Sequence, residues 1–457
     1  MRAVKARQIV LLTGDLVVLY ISLGVTLLAR YGLADFAHQL NLHLIPMGLI
    51  FVTWLVVFYV NGLYDLFNIK VSYAFLRRFT ESWLIAVGAA VTLFYLVPIF
   101  NITPRTNLFI LSAIFGALFL VWRFLIGLTA KASVQVLAIN PNAELITLLS
   151  TLQKNPQLGY QIVGIVSDDE KISTDNLQVF SGATPIRAIV SEHHIGLIVM
   201  PFNTEASAAK LYGELYELLF WDVYTMPADA FFESLSGRIS FASLQDSWFF
   251  ENLQPHHASL YEVMQRIIDY VFATLGVLIL VVITPFVALA TKLQSPGPLF
   301  YLQERIGKGG RKFKVIKFST MHALEKDGGA ELSGAQFTTQ DDPRITKIGK
   351  IIRSLRIDEL PQVVNVLKGE MSIIGPRPER PQFVEQFEKH MPYYTVRNLV
   401  KPGLTGWAQI NYPYAETTEQ QLTKFQYDLF YIKNRSLMLD ITIILKTLHV
   451  ILYGKGR

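Results

Sequence analysis

Residues Ile267 to Leu293 read IIDYVFATLGVLILVVITPFVALATKL, an apolar segment long enough to enter a lipid bilayer. Thr284-Pro285 interrupts this segment. Because proline removes a backbone donor and clashes with the preceding helical turn, the sequence predicts a bend there. If both flanks lie on one side of the membrane, the segment must enter and return as a re-entrant helix. A plain spanning helix is the alternative, and periodicity alone leaves both open.

Four further apolar stretches occupy the first quarter of the chain, each close to the roughly 20 residues that cross a bilayer core as a helix. They are Ile9–Ala29, Leu42–Leu63, Trp83–Ile99 and Leu108–Leu128. The first has no small-residue cleavage site, so we interpret it as an uncleaved span and not as a signal peptide. The sequence therefore predicts a four-helix transmembrane bundle over residues 1–131.

The basic residues between these stretches predict the orientation of the bundle. One side would carry Arg2, Lys5, Arg7, Lys70, Arg77, Arg78 and Lys131, and the other only Arg30 and Arg105. The positive-inside rule then places both ends of the bundle in the cytoplasm. Arg123 lies inside the last stretch, and we expect its side chain to snorkel toward the cytoplasmic face.

Residues 132–250 alternate between strand-like and helix-like segments. VQVLAI (134–139), YQIVGIVSDD (160–169) and Ile195–Pro201 have strand character, whereas Ala143–Gln153 and Glu205–Phe220 have helix character. This alternation predicts a small, parallel, Rossmann-like α/β domain. Its first strand leads into AINPNAEL, which has no glycine to let a backbone approach a pyrophosphate. We therefore predict a domain without a nucleotide motif, used for assembly or regulation.

Composition limits the kinds of catalytic group, metal site and binding partner that we expect for the chain. The chain has 457 residues, 51% of them hydrophobic, and no cysteine, which excludes a thiol nucleophile and Cys-ligated zinc. A net charge of +5 suits a phosphate substrate or an anionic membrane surface. Nucleic acid is not an expected partner, because the basic residues are not accompanied by an aromatic platform or a groove-reading motif.

A basic, glycine-rich segment follows the apolar one. It reads SPGPLFYLQERIGKGGRKFKVIKFSTM (295–321), and its cations are Arg305, Lys308, Arg311, Lys312, Lys314 and Lys317. Closely spaced cations on a flexible backbone suit phosphate binding. A hairpin that lies on anionic headgroups fits the pattern equally well.

Adjacent carboxylates Asp358 and Glu359 come just after a cationic stretch that holds Arg353 and Arg356. Such a pair can divide the work, one carboxylate attacking and the other holding Mg²⁺, a hard cation bound through carboxylate and phosphate oxygens. For an isolated pair, favourable charge at a helix N-terminus is the more common explanation. The GPRP turn at 375–378 presents Arg377 as a phosphate ligand.

Four ordered motifs in the last 200 residues resemble one known family. They are RIIDYVFA (266–273), residues 295–318 of the basic segment, DPRITKIGKIIRSLRIDELPQVVNVLKGEMSIIGPRPER (342–380) and KPGLTGWAQINY (401–412). The C-terminal part of the chain that holds these motifs resembles the monotopic phosphoglycosyl transferases, or polyprenyl-phosphate hexose-1-phosphate transferases. With its four-span front and α/β middle, the chain resembles the larger branch of that family, which initiates exopolysaccharide and O-antigen synthesis.

The resemblance implies a role for each matching residue. Asp358 would be the nucleophile that attacks the sugar-linked phosphate of a UDP-sugar and releases UMP, and Glu359 would bind Mg²⁺. Lys317, Arg353 and Arg377, with Arg305 from the basic segment, would hold phosphates. Pro285 matches the proline that breaks a re-entrant helix. Ser319 stands where the family has arginine, so one phosphate contact or ion pair of the family is in question.

The resemblance also implies a setting. Residues 251–457 would form the re-entrant helix and an α/β-rich catalytic domain at the cytoplasmic face of a bacterial inner membrane. Its partners would be a UDP-sugar, undecaprenyl phosphate, membrane lipid and a second copy of the chain. Two alternatives stay open: a glycosyltransferase that releases UDP, for which Asp341-Asp342 is a poor metal pair, and a membrane scaffold whose catalytic centre has decayed.

Overall fold

The computed structural model describes residues 2–66, 71–96, 105–129, 134–167, 177–201, 213, 216–221, 223–241, 244, 246–253, 260–294, 297–322, 342, 344–391, 393–412 and 417–452. The chain divides into two compact units, Met1–Ser236 and Gly237–Arg457. The predicted division into residues 1–131, 132–250 and 251–457 stays a prediction.

The first unit begins with long helices, namely α1 (Arg2–Val60), α2 (Tyr73–Leu96) and α3 (Arg105–Thr129). Helix α1 is broken at Gly32, whose φ of 67° no residue with a side chain adopts readily. The rings of Tyr20 and Phe51 lie 5.1 Å apart, whereas a straight helix would separate these residues by about 46 Å. The two halves of α1 therefore pack side by side, and they contain the first two predicted stretches.

Three helices among the described residues are long and apolar enough to cross a membrane: Arg7–Val60, Thr106–Leu128 and Leu260–Lys292. They support the prediction of a membrane protein. The third predicted stretch lies mostly in α2, which is not one of the three and has Arg77, Arg78 and Glu81 near its start. Residues 97–99 of that stretch, like Lys70 and Lys131, lie outside the described residues. A four-helix bundle that crosses four times therefore stays a prediction.

Arg123 does not snorkel, so that expectation is wrong. Its side chain is fully buried and its Nη2 atom donates to Oδ2 of Asp15, which is also fully buried, at 2.5 Å. The guanidinium also lies over the rings of Phe119 and Tyr64, with centroids at 4.9 and 5.3 Å. A counter-ion inside the helical packing holds the charge there, because an unpaired charge in an apolar interior is costly.

The rest of the first unit is a parallel sheet with helices. Its elements are β1 (Val134–Ile139), α4 (Ala143–Lys154), β2 (Tyr160–Val166), β3 (Gln178–Phe180), α5 (Ile186–His193), β4 (Leu197–Met200), β5 (Tyr224–Pro227) and α6 (Ala228–Ser236). All pairings are parallel, in the order β3-β2-β1-β4-β5. The predicted α/β architecture is confirmed, although most of the helix predicted at 205–220 lies outside the described residues.

The turn after β1 is built from asparagines and not from glycines. Asn140 has a φ of 43°, in the left-handed region that asparagine tolerates. The side chain of Asn142 accepts a hydrogen bond from the backbone N–H of Leu145 at 2.8 Å and so caps α4. An asparagine side chain therefore occupies the helix N-terminus where a dinucleotide fold would place a phosphate.

The second unit has many short elements around one long helix. They are α7 (Asp246–Asn252), α8 (Leu260–Lys292), β6 (Phe300–Ile306), β7 (Lys312–Phe318), α9 (Lys347–Ser354), a 3₁₀ helix (Ile357–Gln362), α10 (Val363–Leu367), β8 (Ser372–Ile374), α11 (Pro381–His390), a second 3₁₀ helix (Tyr394–Leu399), β9 (Gly403–Thr405), α12 (Trp407–Asn411), α13 (Thr418–Lys433) and α14 (Leu437–Leu452). The unit is mostly helical; β6 and β7 form an antiparallel hairpin, and β8 and β9 pair in parallel.

Helix α8 contains all but the last residue of the apolar segment Ile267–Leu293. It continues through Pro285, and the hydroxyl of Thr284 donates to the backbone oxygen of Leu280 at 2.6 Å. One face is buried, and a Cβ added at Gly276 would lie 2.7 Å from a methyl of Val363 in α10. The opposite face is exposed and apolar, with Phe286 at 70%. The helix is suited to contact protein on one side and lipid on the other, whereas its re-entrant course stays a prediction.

The β8–β9 pair explains the glycines of two motifs. A Cβ at Gly375 would lie 2.4 Å from the backbone oxygen of Lys401, and one at Gly403 would lie 2.1 Å from the backbone nitrogen of Gly375. The backbones are therefore too close for any side chain at these positions. Asp269 of α8 secures β8, because its Oδ1 accepts hydrogen bonds from Ser372 Oγ at 2.8 Å and Ile373 N at 2.7 Å. The GPRP turn therefore begins at the end of a strand, β8, that is held firmly in place.

The buried Arg123–Asp15 pair predicts that Arg123→Gln destabilises the first unit. Removing one partner of a buried ion pair leaves the other charge uncompensated and costs about 3–5 kcal/mol. Thermal unfolding of the purified chain in a neutral detergent measures the loss. Arg77→Gln is the matched control, because it breaks the exposed i,i+4 pair with Glu81, in which the Arg77 side chain is 72% exposed. Such a pair contributes about 0.3–0.5 kcal/mol. Equal midpoints for the two variants would show that the buried pair contributes no more than the exposed one.

Candidate active site

Asp358 and Glu359 lie in the 3₁₀ helix that follows α9. Arg356, just before them, has a φ of 58°, and this left-handed residue turns the chain between the two helices. The structure shows no side-chain cap at the start of the 3₁₀ helix. The Glu359 side chain is instead engaged by cations from other segments. The helix-terminus explanation of the pair is therefore not the one that the geometry favours.

Three cations surround the carboxylate of Glu359. Its Oε1 lies 2.7 Å from Nη2 of Arg377 and 3.4 Å from Nζ of Lys317, and its Oε2 lies 3.7 Å from Nη1 of Arg356. Burial by itself would raise the pKa of Glu359, but the charges of Arg377, Lys317 and Arg356 outweigh it and hold the pKa well below its usual range. Glu359 is therefore ionised at any physiological pH.

Asp358 has the opposite shift. Burial, followed by the negative charge of Glu359, raises its pKa, while Lys317, Arg353 and Arg356 oppose the rise. The neighbouring carboxylates thus differ in basicity. Two carboxyl groups whose surroundings shift their pKa values apart can take different roles in one reaction. The more basic carboxylate is the better nucleophile, and the more acidic one is the better permanent anion.

Lys317 comes from strand β7, near the end of the β6–β7 hairpin, where it pairs with Tyr301. Its side chain is 18% exposed. Burial lowers its pKa to about 8, although the charge of Glu359 opposes the change. Among the six cations of the basic segment, the hairpin thus brings Lys317 against the carboxylate pair, which favours phosphate binding over headgroup binding for this residue.

Asn365 of α10 fastens β7 in place and was not singled out from the sequence. It is fully buried, its Nδ2 donates to the backbone oxygen of Lys314 at 2.8 Å, and its Oδ1 accepts from the backbone N–H of Ile316 at 3.1 Å. Nδ2 also donates to Glu370 at 2.7 Å. A lone asparagine in QVVNVL carries no local signal for this role, because its partners in β7, Lys314 and Ile316, lie 51 and 49 positions earlier in the chain.

Arg353, on α9, points toward the end of β7. Its Nε donates to the hydroxyl of Thr320 at 2.8 Å, and its charge lowers the pKa of Asp358. Gly349 allows α9 to come this close, because a Cβ there would lie 2.1 Å from the backbone oxygen of Thr320. Ser319 hydrogen-bonds through its backbone N–H to the oxygen of Leu299 at 2.9 Å. The serine therefore keeps the strand end in place without adding a charge.

Arg377 is held by a layer of buried charges behind the GPRP turn. Arg397 Nη2 donates to the backbone oxygen of Arg377 at 2.9 Å and to Asp428 at 2.8 Å. Glu379 lies 3.8 Å from both Arg397 and Lys424. The sequence did not single out these residues, because Arg397, Lys424 and Asp428 come from two helical segments that lie outside the motif that holds Arg377 and Glu379.

Arg305 belongs to this supporting layer in the described structure. Its Nη1 donates to the backbone oxygen of Pro378 at 2.9 Å and lies 3.6 Å from Glu379, and its Nη2 donates to Gln303 at 2.6 Å. Burial lowers the pKa of Arg305 to about 10. These contacts show Arg305 bracing the turn that carries Arg377, while its predicted contact with substrate stays a prediction.

Comparison with known proteins assigns the family. Residues 260–454 match the model of the bacterial sugar transferases. A UDP-glucose:undecaprenyl-phosphate glucose-1-phosphate transferase of Klebsiella pneumoniae is 32% identical over 437 residues, 89% of this chain and 88% of the relative. The chain belongs to the bacterial sugar transferase family. The predicted family is thereby confirmed, and with it the prediction of an enzyme of the transferase class.

Other relatives match over shorter stretches. A UDP-N-acetylgalactosamine-undecaprenyl-phosphate N-acetylgalactosaminephosphotransferase of Aeromonas hydrophila is 42% identical over 49% of this chain and 51% of its own length. A UDP-glucose:undecaprenyl-phosphate glucose-1-phosphate transferase of Escherichia coli is 34% identical over 66% of this chain and 64% of its own length. The chain thus spans about half of the first relative and just under two thirds of the second.

The lowered pKa of Lys317 predicts early reaction with an amine-selective reagent. As pH rises, the neutral amine of Lys317 should form with a midpoint near 8, below the ordinary lysine value of 10.5. Labelling from pH 6 to 11, read by mass spectrometry on the folded chain, measures the midpoint, with a lysine peptide as reference. In Glu359→Gln the midpoint should fall further, because the carboxylate that stabilises the charged amine is gone. A midpoint equal to that of the peptide would show that Lys317 is not desolvated.

Proposed function

We propose that this protein transfers a hexose 1-phosphate from a UDP-sugar to undecaprenyl phosphate and releases UMP, as the first membrane step of exopolysaccharide or O-antigen synthesis. The observation that carries the proposal is the pair Asp358-Glu359, a more basic carboxylate beside a permanently ionised one that three cations surround. The printed activities of the relatives, which act on UDP-sugars and undecaprenyl phosphate, support the same reaction.

In the first half-reaction, a carboxylate oxygen of Asp358 forms a bond to the sugar-linked phosphorus. The bond between that phosphorus and the anhydride oxygen breaks, and UMP leaves with the electron pair. Lys317, Arg353 and Arg377 would bind the phosphate oxygens, because their charges converge near Asp358. Phosphate binding would draw Arg377 and Lys317 partly away from Glu359, so the resting ion pairs keep these side chains ready for substrate.

In the second half-reaction, an oxygen of the polyprenyl phosphate attacks the phosphorus of the aspartyl phosphosugar. The bond between the phosphorus and Asp358 breaks, and the carboxylate regains its electron pair. Substrate and acceptor both bring a phosphate to the same cations, which suits two successive steps at one centre. The raised pKa of Asp358 makes its carboxylate a better nucleophile but a poorer leaving group. The cations must therefore stabilise the carboxylate as it leaves the phosphorus.

Mg²⁺ is the cofactor we propose for this centre. The residues fit it, because Glu359 is ionised and the contact of its Oε2 with Nη1 of Arg356 is long, at 3.7 Å. Mg²⁺ needs one or two carboxylates and takes its other ligands from water and substrate phosphates. Glu359 would hold the ion, and the ion would neutralise phosphate charge when bound.

We further propose that the chain lies in a bacterial inner membrane with four spans in the first unit, a re-entrant α8 that bends at Pro285 without ending there, and the catalytic residues on the cytoplasmic face. The basic residues Arg77 and Arg78 near the start of α2 and the exposed apolar face of α8 support this placement. A homodimer is a further proposal, supported by Phe220 and Tyr224, which are 79% and 67% exposed at the edge strand β5.

Asp358→Asn is expected to abolish UMP release, by about a thousandfold or more, because the amide cannot act as the nucleophile. The measurement uses the purified full chain with undecaprenyl phosphate, Mg²⁺ and a panel of UDP-sugars. Asp229→Asn, an exposed residue of α6, is the matched control and should leave release unchanged. Glu359→Gln should lower activity about 10- to 100-fold in a way that extra Mg²⁺ partly restores.

The product distinguishes the alternatives. Release of UDP in place of UMP would replace the proposal with a glycosyltransferase. No nucleotide product from any sugar, with folded wild-type protein, would support the scaffold interpretation. Equal UMP release by the wild type and Asp358→Asn would remove Asp358 as the nucleophile while leaving the overall reaction in place.

A further inference from the structure

A second basic site lies beside the first turns of α8 and shares no residue with the carboxylate centre. It is a cavity of about 60 Å³ in the second unit. Its polar and charged lining residues are Glu262, Gln265, Arg266, Asp269, Lys308, Lys401, Tyr431 and Arg435. A volume of this size holds about four water-sized groups, which is the number of oxygens in one phosphate.

The cavity carries an excess of positive charge. Four cations, from α8, the tip of the β6–β7 hairpin, the segment before β9 and the segment before α14, face two carboxylates. One of these, Asp269, already accepts hydrogen bonds from Ser372 and Ile373. In the described part of the chain Arg266, Lys308 and Lys401 form no ion pair. Converging cations from four separate segments, which outnumber the two carboxylates of the lining, are suited to an anion from outside the protein.

The nearby acidic groups offset these cations only in part, since Asp440 and Glu262 interact electrostatically with Arg435, and Asp269 with Lys401. The buried carboxylate of Asp440 accepts hydrogen bonds from the hydroxyls of Tyr261 at 2.9 Å and Tyr431 at 3.1 Å. Arg435 donates to Gln265 at 3.0 Å, a neutral partner. The guanidinium of Arg435 also lies over the ring of Tyr261, 5.0 Å from its centroid, so its position at the cavity is fixed.

The position of the cavity along α8 indicates the source of the anion. Glu262 and Arg266 immediately precede the apolar run of the helix, and that boundary is where a membrane helix meets the headgroup layer. Val263, Ile267 and Tyr270, on the outward face of the same turns, are 49%, 49% and 55% exposed. An amphipathic aromatic such as Tyr270 is typical of that boundary. The cavity therefore opens at headgroup depth if α8 enters the membrane.

We propose that this cavity binds the phosphate headgroup of an anionic membrane phospholipid. The lipid would fasten the start of α8 to the β8–β9 support and the hairpin tip, at the depth where the carboxylate centre must meet a membrane-bound acceptor. Inorganic phosphate has the same charged group without the lipid, and the experiment separates these two sources.

The test measures lipid binding by the delipidated full chain in a neutral detergent, by native mass spectrometry. Phosphatidylglycerol is titrated against phosphatidylcholine of the same acyl chains. Arg266→Gln and Lys401→Gln should each weaken retention of phosphatidylglycerol about fivefold, and the double variant about 25-fold, since each cation near a headgroup contributes about that factor. Lys389→Gln, an exposed lysine on α11, is the charge-matched control and should bind as the wild type does.

Each outcome decides the proposal. A preference for phosphatidylglycerol that both cavity variants lose and that Lys401→Arg keeps supports it. Equal retention of the two lipids, with inorganic phosphate bound only when Arg266 and Lys401 are intact, would assign the cavity to a soluble phosphate and overturn the lipid source. Retention that is the same in all variants would remove the cavity as a site. Asp358→Asn should bind lipid normally, so failure of this proposal is distinct from failure of the transferase proposal.

Discussion

The contact between Glu359 and Arg377, with Lys317 on the same oxygen, is the interaction on which the second unit is organised. It joins three segments that are distant in sequence: the β6–β7 hairpin, the 3₁₀ helix and the GPRP turn. The hairpin, the 3₁₀ helix and the strand that leads into the turn share one apolar core, to which Val315, Leu360 and Ile374 contribute. The charge cluster joins the polar side chains that these segments present. Asn365 fixes the hairpin, and Arg397 fixes the turn. The glycines at 375 and 403 permit the close backbone packing beneath them.

The same cluster separates the properties of two neighbouring carboxylates. At Glu359 the charges of three cations outweigh burial and lower the pKa. At Asp358 burial and the negative charge of Glu359 prevail over the nearby cations and raise the pKa. The resting protein thereby holds Arg377 and Lys317 on an internal carboxylate. In the proposed reaction a substrate phosphate would have to compete for these two cations, and this competition would couple substrate binding to the activation of Asp358.

Each unit contains a buried ion pair, and the pairing lowers the cost of burying these charges. Arg123 and Asp15 neutralise each other between apolar helices, and Arg397 and Asp428 do so behind the GPRP turn. The cavity beside α8 departs from this pattern, because its cations exceed its carboxylates. That excess of cations is the basis for the proposed anion site, just as the exposed apolar face of α8 is the basis for its proposed contact with lipid.

The sequence by itself was enough to predict a membrane protein, the parallel α/β middle and the family, because apolar length, strand periodicity and long ordered motifs are local properties. It also singled out Asp358, Glu359, Lys317, Arg353 and Arg377, which lie within those motifs and whose roles stay predictions. Only the tertiary structure decided what these residues touch: that Arg123 meets Asp15 and does not snorkel, that Arg305 braces a turn, and that Asn365, Glu379, Arg397 and Asp428 support the centre. The physical reason is that a charge's partner is chosen by chain folding over long sequence separations, where no spacing rule operates.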